Sequence, residues 1–143
     1  MQLRLLTIDD YDAVYSLWTG TAGMGLRSLD DSKAGIEKFL KRNPTTCFVA
    51  EENGFLAGVI LCGHDGRRGY IYHTAVKPDF RRRGVGKLLV DAALNALKEE
   101  GIFKVALVVF QTNALGNAFW ESIGFDKRED LIYRNKSLND ANI

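Results

Sequence analysis

The chain has 143 residues and a mass of 16.0 kDa, the length of one domain around one hydrophobic core, so residues 1–143 are read as a single unit. Hydrophobic residues are 46% and charged residues 26%, which excludes a disordered or fibrous chain. Nineteen Lys plus Arg against 18 Asp plus Glu leave a net charge of +1, so neither nucleic acid nor an anionic membrane is expected as a partner, and any anion site has to be local.

Leu3 and Leu5 alternate with Gln2 and Arg4, which predicts a half-buried first strand over residues 1–6. Thr7-Ile8-Asp9-Asp10 can cap a helix whose Tyr11, Val14, Leu17 and Trp18 share one face. A glycine-rich stretch over residues 20–25 interrupts it. Residues 28–31 are then expected to open a second helix carrying Ile36, Phe39 and Leu40.

Residues 47–51 and 55–62 flank Asn53-Gly54, the strongest short-range hairpin signal because both residues accept positive φ. In the register this implies, Cys47 faces Ile60 and Cys62 faces Thr45, so the two sulfurs are not directly opposed. Two cysteines are too few for a disulfide framework, and the N-terminus lacks the apolar core of a secretion signal; reduced thiols in a cytoplasmic protein are expected.

A polar loop holding His64 and Asp65 leads to a β-rich run over residues 70–76, ended by Lys77-Pro78-Asp79. Val85, Leu88, Leu89, Ala92 and Ala96 mark the clearest helix, which Gly101 closes. Residues 103–110 are almost continuously apolar, which predicts a central strand covered on both faces. Asn113 can cap a last helix with Leu115, Ala118, Phe119 and Ile123 as its apolar stripe, and residues 131–136 read as a final strand. The order β-α-α-β-β-β-α-β-α-β predicts one mixed α/β sheet with helices on both faces.

The strand-to-helix segment over residues 76–87 carries the most chemistry. The first turn of a helix has unpaired N–H groups and partial positive charge, and Gly84 and Gly86 allow a phosphate to come close. Lys77, Arg81, Arg82, Arg83 and Lys87 against Asp79 give this segment +4. The Gly-Lys-Ser/Thr ending of a P-loop and the three glycines of a dinucleotide fingerprint are both missing.

Arg81-Arg82-Arg83-Gly84-Val85-Gly86 resembles the acetyl-CoA motif of the GCN5-related N-acetyltransferase (GNAT) family. A second block strengthens the resemblance: Asn113, then Trp120, Glu121, Gly124 and Phe125 at the family's spacing. The likeness covers nearly the whole chain and implies a mostly antiparallel sheet splayed at the coenzyme site. It implies acetyl-CoA as acetyl donor, held by the backbone of Thr74, Ala75 and Val76, by residues Arg81, Arg82, Arg83, Gly84, Val85, Gly86 and Lys87, and by Asn113. Transfer goes directly to an amine, with no metal and no covalent enzyme intermediate; a homodimer is left open. The acceptor is a small amine, an antibiotic-like molecule, or a protein N-terminus or lysine.

The catalytic groups are less plain. Family positions for a basic Glu fall on Tyr70 and Val108, and Trp120 stands where many relatives have an acidic Tyr. Tyr70, His73 and Trp120 are therefore the catalytic candidates, although strict strand alternation turns His73 away from Tyr70, Tyr72 and Thr74. These departures also suit a second reading, an acetyl-CoA-binding or sensor module with reduced catalysis. A nucleic-acid-binding role for the triple arginine lacks a recognition motif.

Overall fold

In the computed structural model, which describes residues 1–143, Asn53 and Gly54 take φ of 52° and 81° and close the expected hairpin between strands β2 (Phe48–Glu52) and β3 (Phe55–His64). Around it lie β1 (Gln2–Leu5), helices α1 (Tyr11–Thr19) and α2 (Lys33–Arg42), β4 (Gly69–Val76), α3 (Val85–Glu99), β5 (Val105–Ala106) and α4 (Ala114–Ser122). The strands form one sheet in the order β1-β2-β3-β4-β5, antiparallel except for the β4–β5 pair.

The hairpin register differs from the expected one by a residue. Glu51 pairs with Leu56 but Ala50 pairs with Gly58, and this bulge brings Phe48, not Cys47, opposite Ile60. Cys47 Sγ instead donates to the Cys62 carbonyl at 3.1 Å. Burial pushes both thiols up to about 12, so both stay protonated.

Past the bulge, β3 alternates cleanly. Val59 and Leu61 join the core under α1 and α2 with Val14, Leu17, Trp18 and Ile36. Ile60 and Cys62 join the core under α3 with Leu89, Val90, Ala93 and Leu97, and Phe119 and Trp120 of α4 pack on its edge. Gly58 has to lack a side chain, since a Cβ there would stand 2.9 Å from the Ala75 carbonyl and 3.0 Å from Leu89.

Three expected elements are also placed differently. The second helix starts at Lys33 with Ser32 as its cap, its Oγ accepting from Gly35 N at 3.0 Å, so residues 28–31 are loop. That loop rests on α2 where a Cβ at Gly35 would collide with the Leu29 and Asp30 carbonyls. The run over residues 103–110 pairs only through Val105–Ala106, at the sheet edge rather than its centre, and leaves Phe103 94% exposed. Residues 131–136 pair with no strand, and Leu131, Ile132 and Tyr133 are exposed. No helix is long and apolar enough to cross a membrane.

Arg4 ties β1 to β2 and to the turn before α1: its guanidinium donates to both Asp10 carboxylate oxygens at 2.8 and 2.7 Å, and to Glu51 at 3.2 Å. The Arg4 hydrogen bonds hold the Asp10 carboxyl below its ordinary 3.8. A carboxyl depressed by folding contributes stability that is present above its unfolded value and lost as pH falls through the folded one. Urea midpoints should therefore drop as pH falls below about 4, and Arg4→Met should flatten part of that acid limb; an unchanged limb in the variant would assign the slope to other carboxylates.

Candidate active site

The site begins with the free edge of β4. This strand pairs with β3 along its length but with β5 only at Gly69↔Val105 and Tyr70↔Ala106, after which β4 and β5 part. Lys77 N–H donates to the Ala57 carbonyl at 2.8 Å, on the β3 side. Strand alternation therefore turns the N–H groups of Thr74 and Val76 to the opposite side, into the gap. Thr74 Oγ1 is buried without a protein partner on the α3 face of the strand, where its register partner Ile60 also points, while Arg81 Nε donates to the Val76 carbonyl at 3.2 Å.

Beyond β4 the chain makes a short turn over Pro78–Phe80 and enters α3. Arg82 and Gly84 both take positive φ, 62° and 77°, which turns the loop back on the helix start. Leu88 N donates to the Gly84 carbonyl, so the first amides of α3, those of Val85, Gly86 and Lys87, are the ones without a carbonyl inside the helix. The two glycines differ in kind. No protein atom lies within 4 Å of a Cβ at Gly84, whereas a Cβ at Gly86 would stand 3.1 Å from the Phe119 ring. Gly84 leaves the outside of the loop open, and Gly86 lets α4 approach α3.

Much of the local positive charge is internally paired. Arg83 donates to Glu52 at 2.8 Å and lies 5.2 Å from the Phe80 ring centroid, and Lys87 donates to Asp91 at 2.7 Å. With Asp79, these carboxylates reduce five cations to a local +2, and Arg82 and Lys77 are the side chains left without a partner. Asn113 caps α4 through Oδ1, which accepts from Gly116 N at 2.9 Å, and its Nδ2 lies by Gly23 of the glycine-rich loop.

The catalytic candidates divide between the faces. Trp120 packs edge-on between Phe119 and Phe125, at 5.0 Å from each, on the α3 side. On the other face, the strand departs from the alternation expected for it. Ile60 pairs with Thr74 and Cys62 with Ile71, so Leu61 stands against two residues of β4, Tyr72 and His73. The extra residue brings His73 to the same face as Tyr70 and Tyr72. Tyr72 lies 4.6 Å from Tyr70 and 5.5 Å from Phe39 of α2, and His73 packs edge-on to Trp18 of α1 at 5.0 Å. Burial raises the Tyr70 and Tyr72 phenols, helped at Tyr72 by the nearby Asp30, so both stay neutral hydrogen-bonding groups.

His73 Nε2 lies 2.8 Å from Asp31 Oδ1, with side-chain exposures of only 14% and 7%. Asp31 is held in turn: its Oδ2 accepts from Arg27 N at 2.7 Å and its carbonyl accepts from the Tyr11 hydroxyl at 2.6 Å. Sequence reasoning missed Asp31 because Ser-Leu-Asp-Asp reads as a helix cap. Asn142 braces the same loop, accepting from the N–H groups of Leu29 and Asp30 at 3.0 Å. Beside the end of β4, a cleft of about 330 Å³ opens between Ser16, Leu17, Gly20 and Thr21 of the α1 end and Lys77–Pro78. Val108, the other family position for Glu, is exposed.

Comparison with known proteins agrees with this architecture. The chain matches the model of the acetyltransferase (GNAT) family over residues 11–125. It is 31% identical over 140 residues to an acetyltransferase of Pectobacterium atrosepticum, covering 98% of each chain. Its fold is similar to that of Ard1 from Thermoplasma volcanium, with a TM-score of 0.75, 25% identity, and coverage of 86% of this chain and 80% of the other. It is also similar to a PaiA N-acetyltransferase from Thermoplasma acidophilum solved in complex with coenzyme A, at a TM-score of 0.73, 21% identity, and coverage of 86% and 87%. A splayed β4–β5 edge running into an open, glycine-bearing helix start thus accompanies a sequence match over most of the chain, and the chain belongs to the GNAT acetyltransferase family.

Proposed function

We propose that the protein transfers the acetyl group of acetyl-CoA directly to a primary amine. The observation that carries this reading is the open edge of β4, whose Thr74 and Val76 N–H groups point into the gap and lead straight to the Gly84 turn. The pantetheine arm lies along Thr74, Ala75 and Val76 as an added strand, and the unpartnered Thr74 Oγ1 fits a polar arm there. The Val76 N–H faces the acetyl carbonyl, where a fixed donor stabilises developing oxyanion charge. The pyrophosphate sits on the amides of residues 82–87, with Arg81, Arg82, Arg83 and Lys87 around it and Asn113 Nδ2 at the neighbouring helix start. A neighbour solved with coenzyme A bound supports the assignment of the donor.

Three side chains have catalytic parts in this reading. Trp120 offers an indole N–H that cannot act as an acid near neutral pH, so the thiolate takes its proton from elsewhere. The neutral phenol of Tyr70 orients the acceptor, and His73 is the remaining group able to take a proton. A coenzyme-binding module without turnover, suggested by Tyr70 and Val108 at the family's Glu positions, differs from this in one measurement: it releases no coenzyme A thiol with any amine.

The donor is tested without knowing the acceptor. Acetyl-CoA at about 100 times its dissociation constant should stabilise the fold by about 2.7 kcal/mol, a rise of roughly 8 °C in Tm for a chain of this size. NAD should leave the melting curve where it is. A curve unmoved by saturating acetyl-CoA would overturn the reading.

A further inference from the structure

We infer that His73 and Asp31 form a proton-accepting dyad for the acceptor amine, in which His73 Nδ1 takes the proton and Asp31 is the positioning residue; this rests on the transferase reading above. The carboxylate can only accept, so the ring nitrogen facing it at 2.8 Å, Nε2, carries the hydrogen, and in the neutral imidazole Nδ1 then holds the lone pair. Nδ1 has no protein hydrogen-bond partner and is not among the fully buried unpaired atoms, so it keeps some contact with solvent in a side chain that is 14% exposed. The other histidine, His64, stands at the far end of β3, and its Nδ1 already accepts from Gly66 N at 3.0 Å.

The surroundings fix the pair before any substrate arrives. The β4 bulge aims the imidazole at α1, Trp18 packs against its ring, and Asp31 is held at both its carboxylate and its carbonyl. Asn142 ties down the residues just before Asp31. Little reorganisation is left to the reaction itself, which is what a positioned base requires. His73 lies three residues from Val76, about 10 Å along the strand, so the proton reaches it from the acceptor through water. The phenols of Tyr70 and Tyr72 share its face and stay neutral, so they order the acceptor and its water without competing for the proton.

The step balances as follows. An ammonium acceptor gives one proton through water to His73 Nδ1, and its freed lone pair attacks the acetyl carbonyl carbon. The carbon–sulfur bond breaks with its electron pair on sulfur. The second proton leaves the new amide nitrogen for the thiolate, and His73 returns the first to solvent. The products are the amide, coenzyme A thiol and one proton.

Two variants test the dyad on the full-length protein. In H73Q the amide keeps a donor for Asp31 but has no basic nitrogen. In D31N, Arg27 N–H still needs an oxygen acceptor, so the amide turns its NH₂ toward His73 Nε2 and forces the hydrogen onto Nδ1. Thiol release from acetyl-CoA is followed with spermidine, an aminoglycoside, an alanine-initiated peptide and a lysine peptide, together with acetyl-CoA titration and ¹⁵N spectra of the imidazoles. Both variants should lose about 10²-fold or more in kcat with acetyl-CoA affinity unchanged. The spectra should show His73 as the Nε2–H tautomer in the wild type and as Nδ1–H in D31N. A loss below about tenfold in H73Q, or an Nδ1–H wild type, would overturn the dyad while leaving the transferase reading intact. Lost activity in D31N with the wild-type tautomer would remove Asp31 from its positioning role. A wild type that neither binds acetyl-CoA nor releases thiol with these amines would overturn both.

Discussion

Gly84→Val should raise the dissociation constant for acetyl-CoA by about 10²-fold or more, and Arg82→Ala by less than about fivefold, because the two changes touch different parts of the proposed phosphate site. Gly84 holds φ of 77° in front of the open side of the loop, where no protein atom stands within 4 Å of a Cβ. A branched side chain there fills the approach to the amides of Val85, Gly86 and Lys87 and resists the left-handed backbone. Hydrogen bonds to a charged group contribute about 1.5–3 kcal/mol each, so losing two of them costs about 3–6 kcal/mol, which is 10²-fold or more.

Arg82, by contrast, is an exposed side chain without a partner, and an exposed ion contact is worth about 1 kcal/mol or less. Backbone strain is the competing cause of any loss at Gly84, since a left-handed L residue costs about 1–2 kcal/mol wherever it sits. Gly84→Ala separates the two, as it carries the strain without the branch. Titration of the three folded variants decides the matter: an Arg82→Ala loss equal to that of Gly84→Val would mean that side-chain charge, not the backbone cradle, holds the coenzyme.

The segments legible in the sequence are those whose signals are local. Asn53-Gly54 closes a hairpin because those two residues accept positive φ, and Gly101 ends α3 at φ of 77° for the same reason. The loop before α3 stands out because a glycine with a left-handed requirement sits among five cations on a nearly neutral chain. What stayed hidden depends on partners far along the chain. Residues 103–110 are apolar enough for a central strand, but pairing with β4 stops after Ala106 while β4 continues along β3, and no residue of that run records the divergence. Residues 131–136 have strand composition but pair with no strand, and nothing local in the run records that.

The same distinction holds within the site. Strict alternation puts His73 on the wrong face, and only the bulge opposite Leu61 corrects it; a one-residue insertion in a ladder leaves no mark in a β-branched and aromatic run. Asp31 is 42 residues from His73 and has the neighbours of a helix cap, so composition assigns it to local structure. The neighbouring Ser32 takes the capping role instead, which frees the Asp31 carboxylate to face the sheet. Conversely, Asn113 is the cap that sequence pattern suggests, and its Oδ1 is thereby committed.

Trp18 supports both the fold and the dyad, and it yields the largest expected change in stability. It is fully buried, at 0% exposure, in the core between α1 and the sheet, and its ring forms one wall of the His73 position. Trp18→Ala should cost about 3–5 kcal/mol through lost burial and the cavity left behind. Against a total of about 5–15 kcal/mol, this places the variant near its folding threshold. Trp18→Phe is the informative partner. It removes part of the ring, which opens a smaller cavity, but it also removes Nε1–H, a buried donor with no protein partner. Burying such a donor unpaired costs about 1–3 kcal/mol, close to what the smaller cavity costs, so the two changes should nearly cancel. The edge-on contact with His73, worth about 0.5–1.5 kcal/mol between aromatic rings, survives in Phe and is lost in Ala. Urea unfolding followed by Trp120 fluorescence should therefore give Trp18→Phe a midpoint close to wild type and Trp18→Ala a much lower one, with similar slopes. A loss of more than about 3 kcal/mol in Trp18→Phe would mean that Nε1–H is hydrogen-bonded in solution, by a buried water.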